Sequence, residues 1–421
     1  MVRAERRSQV QARSSFHLLS NKTFSVFILG SFLSSMGFWI QSIGQSWQVL
    51  QMTNSALLLG LVAFAATAPN IVFSLFGGVI VDRFNRQRLV IVVQIVYMLT
   101  ALYLGIATTL HIVTVWQIIC MALINGVCSC VGFPGWQAFI GDLVPAEDLK
   151  QGIALNSVQF NLSRVIGPAV GGLSIALVGI AGSYYLNMLS YVFVVIPLFF
   201  MHPVQHNSES SREKSLWQGM NEGLTYTFHS AKLMLLLFLQ LLIAFLVFPY
   251  ITLLPIFARD VFHIGAGGLG VLNSAAGIGA LVGSVLVVFA SRRMSNGVRM
   301  LLWACVIGGL ACAAFAMTPN LQMASFWLIV VGSCTVMSST IANAAVQTLV
   351  PEEMRGRVLS ILALILFGLA PFGNLTAGWI AGTFGSQMTL AIGGILCVAL
   401  SLLTFVLQLK FAAPVQQKAI A

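Results

Sequence analysis

Long apolar runs alternate with short polar ones over most of the 421 residues, and charged residues almost never interrupt an apolar run. Runs of spanning length lie at roughly 24–50, 57–81, 89–110, 113–140, 152–178 and 184–201, and again at 233–257, 269–290, 300–317, 323–349, 359–384 and 388–409. A membrane helix needs about 20 mostly apolar residues at ~1.5 Å of rise each, so the pattern predicts about twelve transmembrane helices. Pro134 and Gly135 mark a candidate break in the fourth.

Composition sharpens the class. Hydrophobic residues make up 58% and charged residues 8% of the chain, against roughly a quarter charged in soluble domains, so an all-α integral membrane protein is expected. The seven cysteines all sit in apolar runs and are odd in number, which argues against a disulfide framework and offers no metal-ligand spacing. No cofactor and no metal are expected. The net charge of +10 suggests nucleic acid only until its distribution is read, because the basic residues lie between apolar runs. With both termini in the cytoplasm, every Lys and Arg except Arg164 and Arg259 falls on the cytoplasmic side or in a tail, which is the positive-inside pattern. The basic opening stretch lacks the small-residue cleavage site of a secretory leader. A multi-pass protein of a bacterial cytoplasmic membrane is expected, in contact with the bilayer and not with nucleic acid.

The chain also repeats itself. Leu143, Val144, Pro145 and Glu147 recur as Leu349, Val350, Pro351 and Glu353, and Gly172 and Gly179 recur at the same spacing as Gly378 and Gly385. An offset near half the length predicts two similar six-helix halves. The expected division is a cytoplasmic tail at 1–22, an N-terminal half at 23–201, a linker at 202–232, a C-terminal half at 233–409 and a second cytoplasmic tail at 410–421.

Two stretches carry recognisable motifs. Gly77 to Arg88 reads GGVIVDRFNRQR at the cytoplasmic exit of the second helix. By chemistry alone Gly78 permits close helix approach, Asp82 accepts hydrogen bonds, and Arg83 and Arg86 hold a basic turn at the membrane surface. A plain positive-inside turn satisfies the same residues. The stretch resembles motif A of the major facilitator superfamily, GxLaDRxGRK, with Ile80, Asn85 and Gln87 as departures. The resemblance implies that Asp82 latches the two halves. In the fifth helix, Gly167, Pro168, Gly171 and Gly172 match GPxxGG, the core of motif C of drug and proton antiporters in the same superfamily. Small residues four apart beside a proline also fit simple close packing; the resemblance implies export.

Arg164 stands three residues before that motif, ~18 Å along the helix from Gly152 and near mid-bilayer. A guanidinium at that depth is costly and is usually kept for a pathway or a partner. No acidic residue is placed at the same depth. Three readings stay open: carbonyls and amides of neighbouring helices, a partner reached through Asp142, or a watery cavity in which Arg164 favours an anionic or strongly hydrogen-bonding cargo. Asn161 shares its helical face. Gln41, Gln45 and Gln48 form a polar stripe on the first helix, and Asn125 is a further buried amide. These line a cavity or glue helices together. In the seventh helix Pro249 and Pro255 suit a gate or a structural kink.

The helix-7 stretch, the Asn161–Arg164 pair before GPxxGG, Glu222 with Gly223, and LVPEEMRGRVLS from Leu349 to Ser360 together resemble the enterobactin-exporter and macrolide-efflux branch of that superfamily. The resemblance implies alternating access, proton antiport and a small amphipathic cargo of drug or siderophore type, handled by a monomer. Asp142 is the candidate proton carrier, with Asp82, His111, Asp260 and His263 behind it. No GxxxxGK[ST] is present, so no built-in ATPase is expected, and no enzyme-like constellation sits at a common depth. An importer, or a sensor that keeps the fold without transporting, are the alternatives.

Overall fold

The computed structural model describes residues 17–201, 222, 224–293 and 297–417. Every regular element among them is helical. Eleven helices are long and apolar enough to cross a membrane. One of them, Leu149–Phe200, is 52 residues long, far beyond what a ~30 Å core needs. Gly179, at φ 70° and ψ −179°, divides it into two spans, a conformation glycine reaches without a Cβ clash. The total is therefore twelve, as the apolar pattern predicts.

In chain order, α1 is Lys22–Thr53, α2 is Ala56–Thr67 continued by Pro69–Arg83, α3 is Arg86–Thr109 and α4 is Val115–Leu143. The divided helix Leu149–Phe200 supplies α5 (149–178) and α6 (180–200). Then α7 runs through Ala231–Leu242 to Phe257–Val261, α8 is Gly265–Arg293, α9 is Gly297–Met317 and α10 is Leu321–Leu349. The last two are α11, from Glu352–Ala363 to Ala370–Phe384, and α12, Ser386–Gln417. An even number of spans returns the chain to the side on which it starts. The other side is called the far side below.

Local chemistry sets the ends. Asn21 opens α1 by accepting from the Thr23 and Phe24 amides at 3.0 and 3.3 Å, and Asn54 closes it in the left-handed region at φ 49°. Thr114 and Gln117 form a capping box for α4, pairing two otherwise orphaned amides. Prolines shape α7 and α11. A π turn at Ile243–Val247 stands two residues before Pro249, and another at Leu364–Leu369 stands two before Pro371. Proline lacks the donor of the regular ladder, and a widened turn accommodates the loss.

The expected break at Pro134 and Gly135 does not occur. Helix α4 passes through both, because neighbouring spans support a proline-bearing membrane helix. Residues 202–221 and 223 of the expected linker lie outside the described residues; 224–228 are already helical.

Large apolar side chains such as Leu177, Phe200, Trp303 and Phe326 face outward, as lipid contact requires. Inside, the C-terminal half has one broad core around Leu254, Phe257, Phe315 and Leu328, into which Ile43, Trp47 and Ala56 of α1 and α2 also pack. The N-terminal half has smaller clusters, one built on Phe27 stacked against Trp136 at 4.7 Å.

Candidate functional site at the seam between the halves

The halves meet along two helix pairs related by the sequence repeat. On one side α5 crosses α8: a Cβ on Gly172 would sit 2.7 Å from the Ala266 carbonyl and 3.1 Å from Gly267 Cα. On the other α11 crosses α2: a Cβ on Gly378 would sit 2.6 Å from the Ala56 carbonyl and 3.2 Å from Gly60 Cα. Gly172 and Gly378 are the repeat-related pair seen in the sequence, so equivalent glycines bring equivalent helices to backbone contact. Gly179 and Gly385, the other pair, both take positive φ and end α5 and α11.

The motif on α5 divides its work between two neighbours. A Cβ on Gly167 would meet Trp39 at 2.6 Å and one on Gly171 would meet Ile40 Cα at 3.1 Å, so these two glycines seat α1. Gly172 and the Pro168 carbonyl face α8, where a Cβ on Gly270 would come 2.6 Å from that carbonyl. One turn deeper, the Arg164 carbonyl lies opposite Gly277, 2.7 Å from where a Cβ would be. Arg164 is half-buried and makes no hydrogen bond or ion pair with a described residue.

The other sequence candidates separate into pairs rather than one cavity. Gln41 is buried and accepts from Asn187 of α6 at 2.6 Å. Gln48 accepts from the Tyr184 hydroxyl at 2.7 Å and donates to Thr108 at 2.9 Å. Asn125 accepts from Thr100 of α3 at 2.9 Å. Each is engaged in interhelical glue within the N-terminal half. Asn161 donates to Ser157 of its own helix at 2.8 Å, and Gln45 is half-buried with no hydrogen bond to a described residue.

At the exit of α2, Asp82 stands in the last turn of the helix and Gly78 one turn before it; the Asp82 side chain lies outside the described residues. Arg83 is exposed. The turn that follows is tied to its own half. Arg86 pairs with the buried Asp142 of α4 at 2.8 Å. Gln87, a departure from the motif's basic run, donates to the Leu198 and Met201 carbonyls at 2.5 and 2.7 Å, satisfying orphaned acceptors at the end of α6. Asp142 is thus held in a charge-assisted contact near the end of α4.

On the far side Arg259, Asp260 and His263, which the sequence offers only singly, form a cluster with the end of α1. Arg259 of α7 donates to the Leu50 carbonyl at 3.2 Å and to Asn54 Oδ1 at 2.5 Å, both at the end of α1. Asp260 receives its other nitrogens at 2.6 and 3.0 Å, and His263 contacts the Arg259 carbonyl at 2.9 Å. Deeper along the seam Phe64 of α2 meets Phe372 of α11 edge to face at 5.3 Å. Arg259 thus ties α7 to the end of α1 across the seam on the far side.

Two similar six-helix halves, packed through repeat-related glycines and carrying no metal-binding group of side chains among the described residues, define a polytopic transporter of the major facilitator type. The sequence profile of the family described as transmembrane secretion effector matches residues 13–420. The chain belongs to that family of transporters, and it is not an enzyme. Among characterised proteins it is 25% identical over 395 residues to the staphyloferrin A transporter of Staphylococcus aureus, covering 93% of this chain and 98% of that one. It is 26% identical over 376 residues to the multidrug efflux pump Tap of Mycolicibacterium fortuitum, covering 86% and 90%. The nucleoside transporter NupG shares the fold at a TM-score of 0.70 with 14% identity, covering 91% of this chain and 98% of NupG. A bacterial homologue of the lysosomal transporter Spinster, solved inward-facing and unoccupied, aligns at 0.67 with 15% identity, covering 92% and 95%.

Proposed function

We propose that this transporter is a secondary active exporter of small amphipathic molecules, of drug or siderophore type, working by alternating access and proton antiport. The observation that carries the reading is the placement of the α5 motif. Gly172 and the Pro168 carbonyl form the backbone contact with α8 across the seam, so rocking of the halves has to pass through it. The names of the relatives, a siderophore transporter and multidrug efflux pumps, support the cargo class. The basic residues support termini in the cytoplasm of a bacterial inner membrane, which makes the far side external and the structure closed to the outside. The linker is placed at 202–232, the halves at 23–201 and 233–409, and the unit is a monomer.

Inward closure is assigned to Asp82 and its basic turn, outward closure to the contacts of α5 with α8 and α2 with α11. Asp142 remains the proposed proton carrier. Its partner Arg86 belongs to the same turn, which would couple its protonation to that turn. Accumulation of cationic dyes, macrolides and a catecholate siderophore in pump-deficient cells tests the reading, with and without an uncoupler. Lower accumulation of a compound, lost with uncoupler and weakened in Asp82→Asn, is expected. Higher accumulation would establish import, and no change for any compound would favour a sensor that does not transport.

A further inference from the structure

Four polar groups meet along the seam without partners. The Arg164 guanidinium has none among the described residues. Tyr250 of α7 is fully buried, its hydroxyl makes no hydrogen bond, and it lies close enough to Arg164 to feel its charge. The indole Nε1 of Trp39 is buried and unpaired, and that side chain lies against Gly167, less than one turn on from Arg164. Ser274 Oγ is buried and unpaired too. It sits on α8 between Gly270, which touches Pro168 and Gly172, and Gly277, which touches Arg164 and Val165.

The set is rich in donors. Guanidinium and indole nitrogens only donate, and the two hydroxyls do so readily. A buried donor without an acceptor is costly to maintain; three such groups and a half-buried cation, drawn from α1, α5, α7 and α8, are satisfied together by an acceptor that a ligand brings. The buried carboxylate of Asp142 is already held by Arg86 near the end of α4. A planar oxyanion meets the need, since it accepts from a guanidinium fork and still has lone pairs for neighbouring donors.

We propose that Arg164, Tyr250, Trp39 and Ser274 form a subsite for a carboxylate, or a comparable oxyanion, of the cargo. Because α1 and α5 belong to one half and α7 and α8 to the other, a bound oxyanion joins both halves at mid-membrane. The inference rests on the exporter reading and gives its cargo a charge.

The test measures equilibrium binding to the purified protein in nanodiscs, with a rhodamine that has a free carboxylate and with its methyl ester. The wild type is expected to bind the acid about tenfold more tightly than the ester. Arg164→Gln should bring the ratio to about one while the ester affinity stays within about twofold, which shows that the variant is folded. Arg164→Lys should restore part of the preference, and Tyr250→Phe or Ser274→Ala should lower it by about threefold. Undetectable or equal binding of the acid, or a preference that survives Arg164→Gln, would overturn the subsite. Repeating the titration with anionic lipid distinguishes the source. An unchanged preference assigns the site to the cargo, and its loss assigns it to a lipid headgroup and overturns the proposal. Dye efflux without a binding preference would sink the subsite and leave export standing, whereas a preference without efflux would do the reverse.

Discussion

Arg259 is the residue that most directly holds the far side shut, since its guanidinium spans from Asp260 on its own helix to Leu50 and Asn54 on the other half. Arg259→Ala removes both cross-half bonds. Ile256, which packs against the N-terminal cluster, should then become reactive: in an Ile256→Cys protein, labelling by an impermeant maleimide, read by mass spectrometry, is expected to rise severalfold. Unchanged labelling would show that the apolar contacts alone close the seam. Inside the N-terminal half, Asn187→Ala leaves the buried Gln41 carbonyl unpaired. A loss of about 1–2 kcal/mol is expected, checked by thermal unfolding in detergent. The double variant Gln41→Leu with Asn187→Leu should recover part of that loss.

How far such residues can be read from the sequence depends on what identifies them. Arg164 stands out because a charge inside an apolar run is rare. The three unpaired groups do not, because a Tyr, a Trp and a Ser in membrane helices are ordinary, and only the packing of α1 and α8 on α5, with α7 against α1 and α8, brings them near it. The glutamine stripe shows the converse. Its spacing puts Gln41 and Gln48 on one face of α1, but whether that face meets cargo or Asn187 and Tyr184 is a tertiary matter. Arg259 is an exception to positive-inside, and its reason, the far end of α1 beside it, is again tertiary.

Among the helices, the seam glycines are the elements on which movement depends. Gly172 and Gly378 are read from the sequence as a repeated pair, and the structure gives the reason, since each lets two backbones touch where a Cβ would lie 2.6–2.7 Å from a carbonyl. Val at either position should push the helices apart. Gly172→Val and Gly378→Val are each expected to lower efflux by at least about tenfold at equal protein level, because close helix approach requires the small residue. Val at Gly382, which has open space around it, should leave efflux within about twofold. Similar losses at all three positions would mean that the effect is not one of the seam. Leu149–Phe200 divides at Gly179, where the apolar pattern places the boundary, but the uninterrupted α4 marks where pattern reading fails. Apolar periodicity locates spans, but it says little about whether a glycine or proline bends, ends or merely decorates a helix.

Across the whole molecule Arg259 ties the halves on the far side, the basic turn is tied on the other, and between them lies a cation without a partner among the described residues. The halves meet through the two glycine crossings, through Ile43, Trp47 and Ala56 packed into the C-terminal core, and through the Arg259 bonds at the far edge. That arrangement suits two bodies that exchange one closure for the other. In the proposed cycle cargo leaves in exchange for protons that enter down their gradient. The most direct test of this exchange is transport by the purified protein in liposomes with an imposed pH difference, followed with the dye that binds best. Accumulation of dye in vesicles whose interior is the more acidic, abolished by collapsing the gradient and reduced in Asp142→Asn, is the result expected of an antiporter. Accumulation only when the exterior is the more acidic, or at the same rate with no gradient, would contradict it.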